Sequence, residues 1–250
     1  MKPFLIALQF LTVFPVRISS EITADDSAGA LIFFPVVGAL IGVILCLISL
    51  CFSFLPHLVT IAILLSAMVI VSGAIHLDGF VDTCDGIFSG RKKEEILEIM
   101  RDSRVGAMGA IGVTLLLLLK FTLLASIPKV DLWKLLILTP LFSRWAQVFA
   151  CYSSPYAHKE GKARYFVEGA GKKEMFIATV FMLAAFVLLM PAKGITAVFF
   201  SIFAILLLMG FVKKKIGGMT GDTIGAVSEL SEVCLLFFIL VLSCLGMFKS

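Results

Sequence analysis

The sequence predicts an all-α, polytopic integral membrane protein, with about seven transmembrane helices behind an N-terminal interfacial or re-entrant helix. Three observations carry this. Hydrophobic residues make up 60% of the 250 and charged residues only 15%, with a mean hydropathy of +1.08, a composition outside the range of soluble domains. The apolar residues fall into long runs broken by short polar connections. The charges collect on one alternate set of those connections, as membrane topology requires.

The elements follow in order. Residues 1–16 form a short apolar run carrying Lys2 and closed by Phe14-Pro15 and Arg17. It has no small-residue cleavage site and is too short to span, so an interfacial or re-entrant helix is expected. Residues 18–28 read as a polar linker. Spanning segments are expected at 31–55, 58–75, 105–127, 132–150, 175–190, 195–212 and 233–248. Several are shorter than the ~20 residues of a full crossing, which leaves their ends soft. Pro56-His57, residues 128–131 and residues 191–194 are tight connections that make three helical hairpins.

With the N-terminus inside, 15 of the 21 Lys and Arg fall on inner segments and four outside, while Lys120 and Arg144 lie within spans. The inner segments are the N-terminal run, residues 76–104, residues 151–175 and Lys213–Lys215. The net charge of +4 is therefore topology, and no nucleic-acid partner is expected. The acidic residues also gather inside, which favours an enzyme at the cytoplasmic interface over a transporter, whose polar groups must reach the midplane. The six cysteines form no CxxC pair and read as small hydrophobes.

One polar stretch between two apolar runs, residues 75–106, carries the chemistry. Asp78, Asp82 and Asp85 stand at i, i+4 and i+7, which places three carboxylates on one helix face. Like charges that close repel unless a cation sits among them. Oxygen-rich clusters of this kind suit Mg²⁺, Mn²⁺ or Ca²⁺, and Mg²⁺ commonly shares its shell with substrate phosphates. Arg91, Lys92, Lys93, Arg101 and Arg104 follow within 20 residues and supply phosphate-binding groups.

A second constellation is GGMTGDTIGAVSELSE, residues 217–232. Its glycines permit close backbone approach, Thr220 is a cap for a helix starting near Gly221, and that N-terminus is an anion site. Asp222 and Glu229, at i and i+7, are expected to bring further carboxylates to the first cluster across a shared cleft. A third is Ser143-Arg144 together with the loop YSSPYAHKEG at residues 152–161. Arg144 within an apolar run faces either a carboxylate or a phosphate inside the bundle. His76, immediately before the aspartate face, is a candidate general base. The candidate catalytic residues are thus Asp82, His76 and Asp222. The phosphate-binding candidates are Arg91, Arg101, Arg104, Arg144 and Gly221, and the metal ligands Asp78, Asp82, Asp85, Asp222 and Glu229.

The stretch HLDGFVDTCDGIFSGRKKEEILEIMRDSRVGAMGA, residues 76–110, closely resembles the cobalamin synthase (adenosylcobinamide-GDP ribazoletransferase) family. The resemblance extends through ALQFLTVFPVR, FPVVGALIGVI, SPYAHKEG and GGMTGDTIGAVSELSE in the expected order. It implies one transmembrane catalytic domain over residues 1–250 at the bacterial cytoplasmic (inner) membrane. The implied reaction is Mg²⁺-dependent: adenosylcobinamide-GDP joins α-ribazole, or its 5′-phosphate, to give adenosylcobalamin, or its 5′-phosphate, and GMP. A homo-oligomer or a complex with other cobalamin-assembly enzymes is left open. CDP-alcohol phosphotransferases also array aspartates on membrane helices, but Asp78-Gly79 is followed by Phe80-Val81-Asp82-Thr83 and not by that family's Ala-Arg. A divalent-cation transporter is the alternative of another class. It would need the carboxylates at mid-membrane, and the hydropathy puts Asp78, Asp82 and Asp85 at one edge.

Overall fold

In the computed structural model, which describes residues 1–19, 21–157, 161 and 163–247, regular structure among the described residues is helical. Helix α1 (Lys2–Leu11) is the short apolar N-terminal helix. Helix α2 (Ala24–Ala30) starts at a capping box in which Thr23 and Asp26 satisfy each other's backbone N–H groups. A 3₁₀ turn at Leu31–Phe33 carries it into α3 (Phe34–Cys51), and the whole run Ala24–Cys51 is long enough to span.

Helix α4 (His57–Val71) is followed by α5 (Ile75–Ile87), and the two are bent by 87°. The bend has a local cause. Gly73 and Ala74 both take positive φ, 63° and 56°, so the helical ladder stops and restarts in a new direction. Helices α6 (Lys93–Ile99) and α7 (Ala107–Ser126) follow, then α8 (Lys129–Tyr152), α9 (Arg164–Gly169), α10 (Lys172–Leu189), α11 (Pro191–Ile216) and α12 (Gly221–Cys244).

Among the described residues five helices are long and apolar enough to cross a membrane, six if the bent α4–α5 pair counts as one. The sequence segments suggested about seven. The 58–75 segment breaks at Gly73, and α10 opens with Lys172, Lys173 and Glu174, leaving about 15 residues or ~22 Å of apolar rise. The 233–248 segment overlaps only the C-terminal half of α12, which begins at Gly221 and ends at Cys244.

Helices α8 and α12 form the centre. Helix α3 lies on α8 through Gly38 and Gly42, where an added Cβ would come within 2.3 Å of the Pro140 carbonyl oxygen and 2.4 Å of Ile137 Cα. These small residues at i, i+4 let the two backbones touch, as in membrane helix pairs generally. Helix α12 is packed against α5, α7, α8 and α11. The outer faces of α7, α10 and α11 expose Leu115, Leu118, Phe176, Leu188, Phe199 and Leu207, an apolar surface of the kind that lipid tails cover. One end of this bundle gathers α1, α9 and the loops before α7, α9 and α12.

Candidate active site

The site begins with the crossing of α5 over the first turn of α12. A Cβ on Gly79 would lie 2.8 Å from Asp222 Cα and 2.9 Å from its carbonyl oxygen, so only hydrogen fits between the two backbones there. Asp78 is the neighbour of Gly79, and Asp82 is three residues or ~4.5 Å of rise further on. Asp222 therefore stands against the aspartate-bearing helix, and its orientation is set by the capping box of Thr220 and Thr223 at the start of α12. The carboxylates feel one another: Asp82 interacts electrostatically with Asp222, Asp78 and Asp85, and Asp222 with Asp78 and Arg101. Among the described residues no three His, Cys, Asp or Glu side chains converge into a closed metal cage.

Asp85 is used differently from the expectation. Its two oxygens accept from the backbone N–H groups of Gly106 and Gly109, each at 2.8 Å. The N-cap of α7 is Gly106, which has no side chain to close its own helix, so a carboxylate from α5 takes that place at the positive helix end. A Cβ at either glycine would come within 2.4 Å of an Asp85 oxygen. The pattern Gly106-x-x-Gly109 was the sequence signal of this clasp. Asp85 is thus the anchor of α7, in place of the metal ligand predicted.

Glu229 also departs from the shared cleft. It lies seven residues, ~10.5 Å of rise, beyond Asp222, where it meets Lys120 of α7 in a buried ion pair. Lys120 also binds Glu232 at 2.6 Å, and Glu232 in turn accepts from Arg144 and from Ser143, both at 2.9 Å. All four charged groups are buried. Two cations and two carboxylates make the set neutral, the arrangement that makes burial of charge tolerable. Arg144 is therefore committed to a carboxylate within the bundle, which corrects its assignment to phosphate. Ionisable groups also reach deeper than the sequence reading allowed, since Glu232 is eleven residues from Gly221, the first residue of α12, or ~16 Å of rise.

Above this set, His76 Nε2 lies 3.0 Å from the Gln147 amide nitrogen, which also donates to Ser228 at 2.8 Å. An amide nitrogen can only donate, so His76 Nε2 is the acceptor. The lone pair that a general base would use is thereby engaged, which counts against that role for His76.

Both His76 and Gln147 line a cavity of about 380 Å³, within the size range of small-molecule sites. Phe10, Phe34 and Phe166 form its apolar wall, with ring centroids 4.7–6.0 Å apart. Asp78, Asp222, Gly221, Arg101 and Tyr156 supply its polar side. Of the sequence-predicted arginines, Arg101 is the one brought to this cavity. Arg91 pairs with Glu95 at 3.5 Å on the exposed face of α6. Arg104 is exposed and forks onto Asp102, holding that carboxyl down at about 2.

Gln147 and Tyr156 were missed as individual residues. Tyr156 belongs to the loop segment already noted, whose residues 158–160, including His158, lie outside the described residues. The loop is tied to the start of α12: Ala157 N–H donates to the Met219 carbonyl at 2.8 Å, and Met219 N–H to that of Pro155 at 2.9 Å.

Residues 3–240 match the family model described as cobalamin-5-phosphate synthase. The chain is 36% identical to the adenosylcobinamide-GDP ribazoletransferase of Geotalea daltonii, over 96% of this chain and 98% of that one. It is 37% identical to the proteins of the same name from Alkaliphilus metalliredigens, over 99% and 98% of the two chains, and Clostridium botulinum, over 97% and 98%. No solved structure matches it. With near-complete coverage in both directions, and with the motifs that form the cavity inside the matched region, the chain belongs to the cobalamin-5-phosphate synthase family.

Proposed function

We propose that this protein is an adenosylcobinamide-GDP ribazoletransferase, acting with Mg²⁺ at the cytoplasmic face of the bacterial inner membrane. The observation that carries the reading is the seating of Asp222 over Gly79, which places carboxylates from α5 and α12 at one side of a 380 Å³ cavity. The relatives' shared name supplies the reaction class.

In this reaction a secondary ribose hydroxyl oxygen of α-ribazole, not the 5′ one that stays phosphorylated when the 5′-phosphate is the acceptor, forms a bond to the phosphorus nearer the corrinoid. The bond from that phosphorus to the bridging oxygen breaks, GMP leaves with the bridging oxygen, and the hydroxyl proton passes to a base or to water. The donor set suits Mg²⁺. Asp78, Asp82 and Asp222 offer oxygen alone, and Mg²⁺ needs only one or two such carboxylates beside phosphate and water. Bound there, Mg²⁺ would neutralise charge on the diphosphate oxygens. Arg101 adds a cation on the same side of the cavity, and the α12 N-terminus at Gly221 directs backbone N–H groups toward an anion. The phenylalanine wall excludes water from the reacting groups and gives the nucleoside an apolar surface. The distribution of Lys and Arg supports an orientation with this end of the bundle inside.

The test is direct. Membranes containing the protein, given adenosylcobinamide-GDP, α-ribazole and Mg²⁺, should form adenosylcobalamin and GMP in equal amounts. Chelation of Mg²⁺ should stop the reaction. Absence of both products from folded protein would refute the reading.

A further inference from the structure

We propose that Tyr156 is a further substrate-contacting residue of the transfer, its phenol donating a hydrogen bond to the diphosphate of the nucleotide-bearing substrate. The inference rests on the ribazoletransferase reading. It starts from the position of the ring, which lines the cavity beside Asp78, Asp222 and Arg101.

That position is imposed from both sides. On one side, the residues flanking Tyr156 are bonded to Met219, three residues before Asp222, through the two backbone hydrogen bonds of a short parallel bridge. Gly218 makes the approach possible, since a Cβ there would lie 2.4 Å from the Pro155 carbonyl oxygen. Tyr156 and Asp222 are thus held on one rigid connection. On the other side, Gly161 packs on the phenol itself. Its φ is +148°, a conformation that side chains rarely adopt, and a Cβ there would lie 2.3 Å from the Tyr156 hydroxyl oxygen. Two glycines therefore serve to place one hydroxyl.

The chemistry of the cavity gives that hydroxyl a task. Carboxylates accept hydrogen bonds, and the Gln147 amide N–H groups are directed at His76 and Ser228, so a bound diphosphate draws its donors from the rest of the wall. Arg101 supplies charge, and Tyr156 supplies a neutral O–H. Burial and the Asp222 carboxylate push the phenol above its ordinary range against the opposing pull of Arg101 and Arg164, so it keeps its proton at neutral pH. No bond is made or broken at the tyrosine oxygen. It binds and orients.

The experiment uses the full-length protein with unphosphorylated α-ribazole as acceptor, so that the diphosphate is the phosphate group in play. Tyr156→Phe should lower kcat/KM for adenosylcobinamide-GDP by roughly ten- to a hundredfold, the range for a lost hydrogen bond to a charged group. KM for α-ribazole and the melting temperature should stay as in the parent. Gly161→Ala, which displaces the hydroxyl, should give a similar loss, and the double variant should be no worse than either single change. A parental kcat/KM in Tyr156→Phe would overturn the assignment, as would a loss confined to the KM of α-ribazole or fully additive effects of the two changes. If the parent itself forms no GMP, the activity fails before the role of Tyr156 is reached, so the two failures are distinguishable.

Discussion

Gly79→Ala tests the geometry of the site without touching any charged group. The added Cβ would stand 2.8 Å from Asp222 Cα, which is 0.6 Å inside the 3.4 Å at which ordinary contact begins, and 2.9 Å from the Asp222 carbonyl oxygen. Both obstructing atoms are backbone, so no side chain can swing away. Helix α12 must move off α5 by roughly half an ångström or more, at a cost of about 1–3 kcal/mol. The displaced residue is Asp222 itself, and misplacement of reacting groups on the ångström scale commonly costs on the order of a hundredfold in rate. The expected result is therefore a kcat reduced by ten- to a hundredfold in protein that still folds, read from GMP release alongside a thermal melt in detergent. Gly225→Ala is the control at the same crossing. Its Cβ would lie 3.2 Å from the His76 carbonyl oxygen, a mild overlap that should leave most activity. Parental turnover in Gly79→Ala, with α12 displaced or not, would refute the argument that this crossing sets the catalytic geometry.

Three further outcomes are expected. Asp82→Asn and Asp222→Asn should each lower turnover a hundredfold or more and raise the Mg²⁺ concentration for half-maximal rate, because each removes charge from the proposed metal-facing side; unchanged Mg²⁺ dependence in both would exclude them as ligands. Asp85→Asn should lower the melting temperature, through loss of about 1–3 kcal/mol of α7 capping, while the Mg²⁺ requirement of the remaining activity stays put; a large shift in that requirement would restore Asp85 to the metal. Glu232→Gln should destabilise by about 3–5 kcal/mol by leaving two buried cations to one carboxylate, whereas Lys120→Met with Glu229→Gln keeps the Arg144–Glu232 pair and should be milder than Glu232→Gln; the reverse order in thermal melts would show that the buried charges are not acting as a compensated set.

Much of this protein is legible in the linear sequence because the membrane imposes strong one-dimensional rules. Hydrocarbon demands long apolar helices, and loop charge follows topology, so the helical class and the aspartate-bearing stretch 75–106 follow from composition and spacing alone. The cap at Thr220 was equally readable, because capping is local. What periodicity cannot supply is which groups meet across the bundle. Asp85 and Glu229 share helical spacing with neighbours at the site, yet Asp85 closes the end of α7 and Glu229 meets Lys120, since partners on other helices satisfy them at lower cost than a distant ion. Arg144 had two chemically equal destinations, and packing chose Glu232. Gly79 looked like any glycine in a membrane helix until the fold laid Asp222 on it. Spacing along a helix is a property of the chain, whereas the identity of the nearest opposite charge belongs to the packed structure.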